Sequence, residues 1–178
     1  MDSTQLQIRD ATHDDMSAVQ RIYASYVLNS TATFEEKPPD VAEMQSRYEH
    51  VRMLGLPYLV GIANGVLIGY CYAAPYRPRI AHRYTIENSI YLAEDQTGKR
   101  FGGALLEELI KRCERGPWRQ MIAVIAGGDN VASIALHRRL GFRDAGTQPS
   151  TGYKFGQWID VVFMQRALGA GDSTHPTE

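Results

Sequence analysis

The sequence predicts an α/β fold, a single mixed sheet with helices packed on its faces. Three observations predict it. Apolar residues recur at helical spacing in three stretches: Met16, Val19, Ile22, Tyr23, Tyr26 and Val27; Val41, Met44, Tyr48 and Val51; and Ala104, Leu105, Leu106, Leu109, Ile110 and Cys113. Short strand-like runs separate these stretches, and one of them, Gln120 to Ile125, is apolar at every position after its first, as in a strand buried on both faces. No repeat or change in composition divides the chain.

The elements follow in order. Thr12 with Asp15 three residues on forms a capping box that opens the first helix. Asp40, after Pro38 and Pro39, caps the second. The polar loop between them, Asn29 to Pro39, holds one large apolar side chain, Phe34. Strands Tyr58 to Ala63 and Val66 to Ala74 flank Asn64-Gly65, a dipeptide suited to a type I′ hairpin because both central residues need positive φ. A Pro- and Arg-containing loop, Pro75 to Arg83, leads into a strand from Tyr84 to Leu92. A glycine turn, Gly98 to Gly103, precedes the third helix. A short helix from Val131 to Leu140 ends at Gly141, a natural C′ residue. Two further strands are expected near Arg143 to Gln148 and Trp158 to Arg166. Residues 1–168 are therefore expected to form one domain, with a flexible polar tail over 169–178.

At 178 residues the chain is long enough to bury a core, and 44% apolar with 22% charged residues is the balance of a globular protein. A net charge of -1 offers no basic field for nucleic acid or an anionic membrane, so neither partner is expected. Cys71 and Cys113 cannot make a disulfide framework. They read as buried thiols, and a polar amino terminus fits a cytoplasmic protein. His13, His50, His82, His137 and His175 are scattered without ligand spacing, so no metal site is expected.

The segment from Glu87 to Leu109 carries the most chemistry. A strand runs into Gly98-Lys99-Arg100-Phe101-Gly102-Gly103, and a helix starts at once. Unpaired N–H groups and the positive end of the helix dipole make such a turn an anion site suited to a pyrophosphate. Neither the Walker order nor the dinucleotide spacing is present. By itself the segment is either that phosphate site or an ordinary strand-to-helix connection.

The pattern Asn130-x-x-Ser133-x-x-x-His137-x-x-x-Gly141-Phe142 resembles the second signature of the GNAT superfamily of N-acetyltransferases, whose fold is a mostly antiparallel mixed sheet flanked by helices. In that superfamily the glycine turn binds the pyrophosphate of CoA. From about Ile8 to Leu168 the chain is similar to the phosphinothricin acetyltransferase family. The likeness rests on Tyr84-Thr85-Ile86-Glu87-Asn88-Ser89-Ile90-Tyr91, on Gly152-Tyr153-Lys154-x-Gly156-x-Trp158-x-Asp160-Val161, on Ile122-Ala123-Val124-Ile125, and on Leu136-His137-x-x-Leu140-Gly141-Phe142.

That resemblance implies acetyl transfer from acetyl-CoA to the α-amino group of phosphinothricin, methionine sulfone or methionine sulfoximine, by a homodimer. It makes Glu87 the general base and places Phe34, Arg77, Arg79 and His82 around the acceptor. Ile90, Tyr91 and Leu92 would pair with the pantetheine arm, residues Gly98, Lys99, Arg100, Phe101, Gly102 and Gly103 would hold the pyrophosphate, and Asn130 with Ser133 would meet the cofactor. Two departures stand out. Arg100 occupies the place of the first superfamily glycine, and a bulky residue at positive φ would cost about 1–2 kcal/mol. His137 stands where many members carry a tyrosine that protonates the leaving thiolate.

The residues keep alternatives open. Glu87, in an apolar strand where desolvation raises its pKa, is either the base that takes the amine's proton, a structural carboxylate paired with Arg83, or an edge-strand charge. A strand N–H, that of Leu92, is the expected donor to the thioester oxygen. His137 is an acid toward the thiolate, a core histidine or a CoA contact; Asn130 is a CoA contact or a plain N-cap. Arg77 and Arg79 either clamp an anionic acceptor or are solvated loop cations. Phe34 closes the pocket or anchors its loop. With no covalent-catalysis motif, direct attack in a ternary complex is the expected route. Other acceptors, such as a peptide amino terminus, and a non-catalytic acyl-CoA-binding module are the competing readings; arginines near the site disfavour a polyamine.

Overall fold

A computed structural model describes residues 6–127 and 130–176 of the chain. One seven-stranded sheet runs through it. Strand β1 is Leu6–Asp10, β2 Tyr58–Ala63, β3 Val66–Pro75, β4 Thr85–Leu92, β5 Gln120–Ala126, β6 Arg143–Lys154 and β7 Gln157–Ala167. The helices are α1 Met16–Asn29, α2 Val41–Met53, α3 Phe101–Cys113 and α4 Val131–Arg139. Strand order is β1-β2-β3-β4-β5-β7-β6, antiparallel everywhere except between β4 and β5. The expected mixed, mostly antiparallel sheet flanked by helices is present.

Local chemistry sets most boundaries. Asp15 accepts from the Thr12 N–H at 2.7 Å and grips the Arg9 guanidinium with both oxygens, fixing the entry to α1 after one 3₁₀ turn. Asp40 accepts from the Glu43 N–H at 2.8 Å and opens α2. Asn64 and Gly65 have φ of 51° and 74°, as a type I′ turn needs. The β6–β7 hairpin turns on Phe155 and Gly156, again both at positive φ.

Two features differ from expectation. β1 is an added edge strand paired with β2; its five residues carry too few apolar side chains to stand out against the polar terminus. β6 runs six residues beyond Gln148, past a register shift between Gln148 and Gly152; it is an edge strand whose residues are almost all exposed, so no apolar period marks it. Beyond β7, Arg119 donates to the His175 carbonyl and to Thr174 Oγ1, both at 2.9 Å.

Alternation along β4 assigns the two faces. Glu87, Ser89 and Tyr91 look toward α1 and α2, where Tyr58, Tyr70 and Tyr72 stack in near-parallel planes and Tyr91 packs edge-on against Tyr23 and Tyr26. Ile86, Asn88 and Ile90 look toward α3 and α4, where Leu105, Leu106, Leu109 and Met121 are fully buried. Among the described residues no helix is long and apolar enough to cross a membrane.

Candidate active site

β4 and β5 pair only from Thr85–Asn88 against Gln120–Ala123. Beyond that point both strands continue, β4 to Leu92 and β5 to Ala126, without each other. The sheet therefore opens as a wedge. Ala93 N–H bonds Ile68 O on the β3 side, so by strand alternation the N–H groups of Ile90 and Leu92 point the other way, into the wedge.

The wedge leads into a cleft of about 420 Å³ lined by Ile90, Leu92, Gly98, Arg100, Gly102, Gly103, Asn130 and Ser133, all expected at a cofactor site. At its end the chain turns through Gly98 (φ 75°) and Arg100 (φ 67°, ψ 4°) into α3. Arg100 is thus left-handed, the strained conformation its substitution for glycine implied. Gly103 and Ala104 N–H reach back to Arg100 O, whereas the N–H groups of residues 98–102 find no acceptor among the described residues. A Cβ at Gly102 would lie in van der Waals contact with Leu92 and Leu136, at 3.4 and 3.5 Å, so this part of the cleft is narrow. This is a cradle of open amides at a helix N-terminus, and a pyrophosphate fits it.

Sequence reasoning missed five contributors. Tyr26, Ala132, Ala135, Leu136 and Arg139 also line the cleft, beside Thr97 at the start of the glycine turn. The Arg139 guanidinium lies across Gly103, with Nη2 only 2.7 Å from where a Cβ there would sit. The signal was available: Ala132, Ala135, Leu136 and Arg139 share one face of α4 with Ser133 by helical spacing. Tyr26 OH donates to Leu92 O at 3.0 Å and accepts from Leu92 N–H at 3.4 Å, so α1 already engages the N–H expected to polarise the thioester. Of the other expected residues, Tyr91 borders the wedge, Lys99 is drawn to Gln96 Oε1, and Phe101 starts α3.

Glu87 is half-buried on the α1/α2 face and has no hydrogen-bond or ion-pair partner among the described residues. Arg83 instead stacks on Tyr84 at 4.4 Å and bonds Ile80 O, so it does not hold Glu87. Burial pushes the Glu87 carboxyl above its ordinary 4.5, and the Arg77 charge opposes this more weakly. Arg77 itself stacks on Tyr76, His82 meets the same ring edge-on at 5.8 Å, and Arg79 is exposed before the short 3₁₀ turn Ile80–His82. Phe34 lies on Gly152, where a Cβ would collide with its ring. A second cavity, of about 380 Å³, opens on this face between α1, α2 and the tyrosine stack, with Arg47, His50 and Tyr72 among its walls. Asn130 accepts from Ser133 N–H at 3.3 Å as an N-cap. His137 is buried, and desolvation lowers its pKa. Among the described residues no three His, Cys, Asp or Glu side chains converge on a metal-sized point.

A split mixed sheet whose wedge ends on a cradle of helix N-terminal amides defines an acyl-CoA-dependent N-acyltransferase. Residues 8–163 match the acetyltransferase (GNAT) domain family. The chain is 52% identical over 169 residues to a phosphinothricin N-acetyltransferase of Alcaligenes faecalis, covering 95% of this chain and 86% of that one. It is 42% identical to the L-methionine sulfoximine/L-methionine sulfone acetyltransferase of Pseudomonas aeruginosa, over 90% of this chain and 94% of that one. A crystal structure of a Sinorhizobium meliloti GNAT superfamily phosphinothricin acetyltransferase in complex with AcCoA superposes with a TM-score of 0.94 at 48% identity, covering 97% of this chain and 94% of that one. The chain belongs to the GNAT acetyltransferases, and it is an N-acetyltransferase with acetyl-CoA as its co-substrate.

Proposed function

We propose that this enzyme acetylates the α-amino group of a small anionic amino acid of the phosphinothricin, methionine sulfone or methionine sulfoximine type, with Glu87 as general base. The observation that carries the reading is Glu87 itself: a half-buried carboxylate without a partner among the described residues, beside the mouth of the wedge, with its proton affinity raised by desolvation. A base tuned upward in this way accepts the ammonium proton of the acceptor better than an ordinary glutamate, directly or through one water. Arg77 and Arg79 carry the positive charge that draws the acceptor's carboxylate and phosphinate or sulfone oxygens, and Phe34 covers it. Relatives whose names specify these acceptors support the choice.

The cofactor's thioester lies in the wedge, its diphosphate on the amides of residues 98–102 with Arg100 and Arg139 alongside. The neutral amine attacks the thioester carbonyl directly: the N–C bond forms, the C–S bond breaks, and the proton shed by the nitrogen passes, directly or through water, to the CoA thiolate, which leaves as CoASH. The Ile90 N–H faces the carbonyl oxygen's side of the wedge and stabilises its developing charge, joined by the Leu92 N–H once the thioester oxygen displaces Tyr26 OH from it. His137 and Asn130 with Ser133 belong to the cofactor wall of the site.

The reading extends to a homodimer and a cytoplasmic location. Tyr153, Phe155 and Trp158 are exposed on the β6–β7 edge, an apolar group suited to a second copy of the chain. Two unpaired, buried thiols fit a reducing compartment. Thiol release from acetyl-CoA with methionine sulfone or phosphinothricin tests the whole. Turnover is expected, falling by roughly 10²-fold or more in Glu87→Gln. Turnover with neither acceptor, or an undiminished Glu87→Gln rate, would overturn it, and sedimentation as a monomer would remove the dimer.

A further inference from the structure

Asn88, on the α4 side of β4, is 5% exposed, and its amide sits where β4 and β5 part. Its Nδ2 lies 2.9 Å from His137 Nε2. His137 Nδ1 lies 2.8 Å from the Ser133 carbonyl, which can only accept. The ring proton is therefore on Nδ1, and Nε2 offers a lone pair to the Asn88 amide. Flipping that amide would set its oxygen against Nε2 and demand a proton on both ring nitrogens. A doubly protonated imidazole in this buried place is unfavourable, and the fall in its pKa on burial says the same.

This orientation leaves Asn88 Oδ1 turned away from His137, buried and without any donor among the described residues. An orphaned buried acceptor costs about 1–3 kcal/mol and calls for an explanation. Beside it lies a narrow cavity of about 60 Å³, bounded by Asn88, Ala123, Ile125, Ser133 and His137, which shares Ile90, Asn130 and Ser133 with the main cleft.

We propose that Asn88 is a positioning residue for the thioester arm of acetyl-CoA, its Oδ1 accepting an amide N–H of the pantetheine chain in the wedge. His137 then serves the reaction through Asn88, by fixing which way its amide points, and does not protonate the thiolate. The inference rests on the wedge being the thioester site and adds the residue that sets the arm's depth there.

Calorimetry with two ligands tests it. CoA carries the pantetheine arm; adenosine 3′-phosphate 5′-diphosphate keeps the nucleotide and diphosphate and lacks the arm. Asn88→Leu, close in size and free of an orphan acceptor, is expected to weaken CoA binding roughly tenfold while the armless nucleotide stays within about twofold of the native affinity. His137→Phe is expected to give the same split. Nitrogen NMR of the native protein is expected to report the Nδ1–H tautomer of His137. Equal losses for both ligands, or none, would assign Asn88 a structural role or a buried water and overturn the inference. So would a His137→Phe enzyme that binds CoA normally and only turns over slowly, the mark of a lost acid, or an Nε2–H tautomer. If the native chain fails to bind CoA at all, the wedge reading falls and takes this inference with it; a native chain that binds, with no split in the variants, sinks this inference alone.

Discussion

Lys154 Nζ, near the end of β6, donates at 2.8 Å to the Thr33 carbonyl, 121 residues earlier, and at 2.8 Å to that of Ser30. One buried ammonium thus ties the α1–α2 loop to an edge strand. Thr33 in turn meets Tyr23 OH, which donates to Glu35, and Glu35 takes Arg47 at 2.7 Å. The loop that presents Phe34 is held by this chain of charge-assisted bonds. Replacing Lys154 with Met is expected to destabilise the protein by about 2–4 kcal/mol, since it strands two buried carbonyls. Denaturant unfolding measures that loss. The KM for the acceptor should rise while CoA affinity holds.

Gly152 gives the same loop its seat. An alanine there collides with the Phe34 ring and must push it aside. Gly152→Ala is expected to raise the acceptor KM by roughly tenfold, on the scale of one displaced aromatic contact, with the Kd for CoA unchanged. Equal effects on both ligands would show that Phe34 does not serve the acceptor.

Arg100 pairs a strained backbone with a useful charge. Arg100→Gly relieves the left-handed conformation and adds freedom to the unfolded chain. The net is a gain of roughly 0.5–1 kcal/mol in stability. The same variant should bind CoA more weakly and with a shallower salt dependence, because the cleft loses a cation. Thermal melts and calorimetry at two salt concentrations separate the two effects. Arg139→Ala, which removes the guanidinium over Gly103 without touching a strained position, should weaken CoA at least tenfold and leave stability nearly unchanged.

Glu87 links activity and stability to pH. As the base it works ionised, so kcat/KM should rise with pH through a value above the ordinary glutamate range. Arg77→Ala removes the charge that opposes this shift, and the acidic limb should move to still higher pH. For stability, the folded pKa lies above the unfolded one, so the folded state holds this proton more tightly. The favourable contribution is full below the unfolded value and is lost as pH rises through the folded one. At neutral pH the buried carboxylate is a cost. Glu87→Gln should therefore melt higher than the native protein near neutrality, with the advantage vanishing in acid.

The glycine turn shows how far sequence reasoning reaches. A strand, a glycine-rich turn and an amphipathic helix are local signals, and they set the wedge wall, the cradle and the base's strand before any fold is known. The Asn64-Gly65 hairpin and the Asp40 cap are local in the same sense. Tyr26 and β1 were not legible, and of Arg139 only its helix face was. Arg139 gains its place over Gly103 only when α4 lies beside α3, Tyr26 only when α1 reaches Leu92, and β1 only when β2 offers a partner edge.

By itself, then, the order of residues determined most of the element series, the mixed sheet and the glycine turn ahead of α3, because backbone conformation and apolar period are written over a few neighbouring positions. Tertiary structure alone decided that β4 and β5 separate after Asn88 and Ala123, that no described residue pairs with Glu87, and that His137 Nδ1 lies against the Ser133 carbonyl. Each of these depends on which groups from distant segments share one small, poorly solvated volume, where a single hydrogen-bond acceptor settles a proton's position.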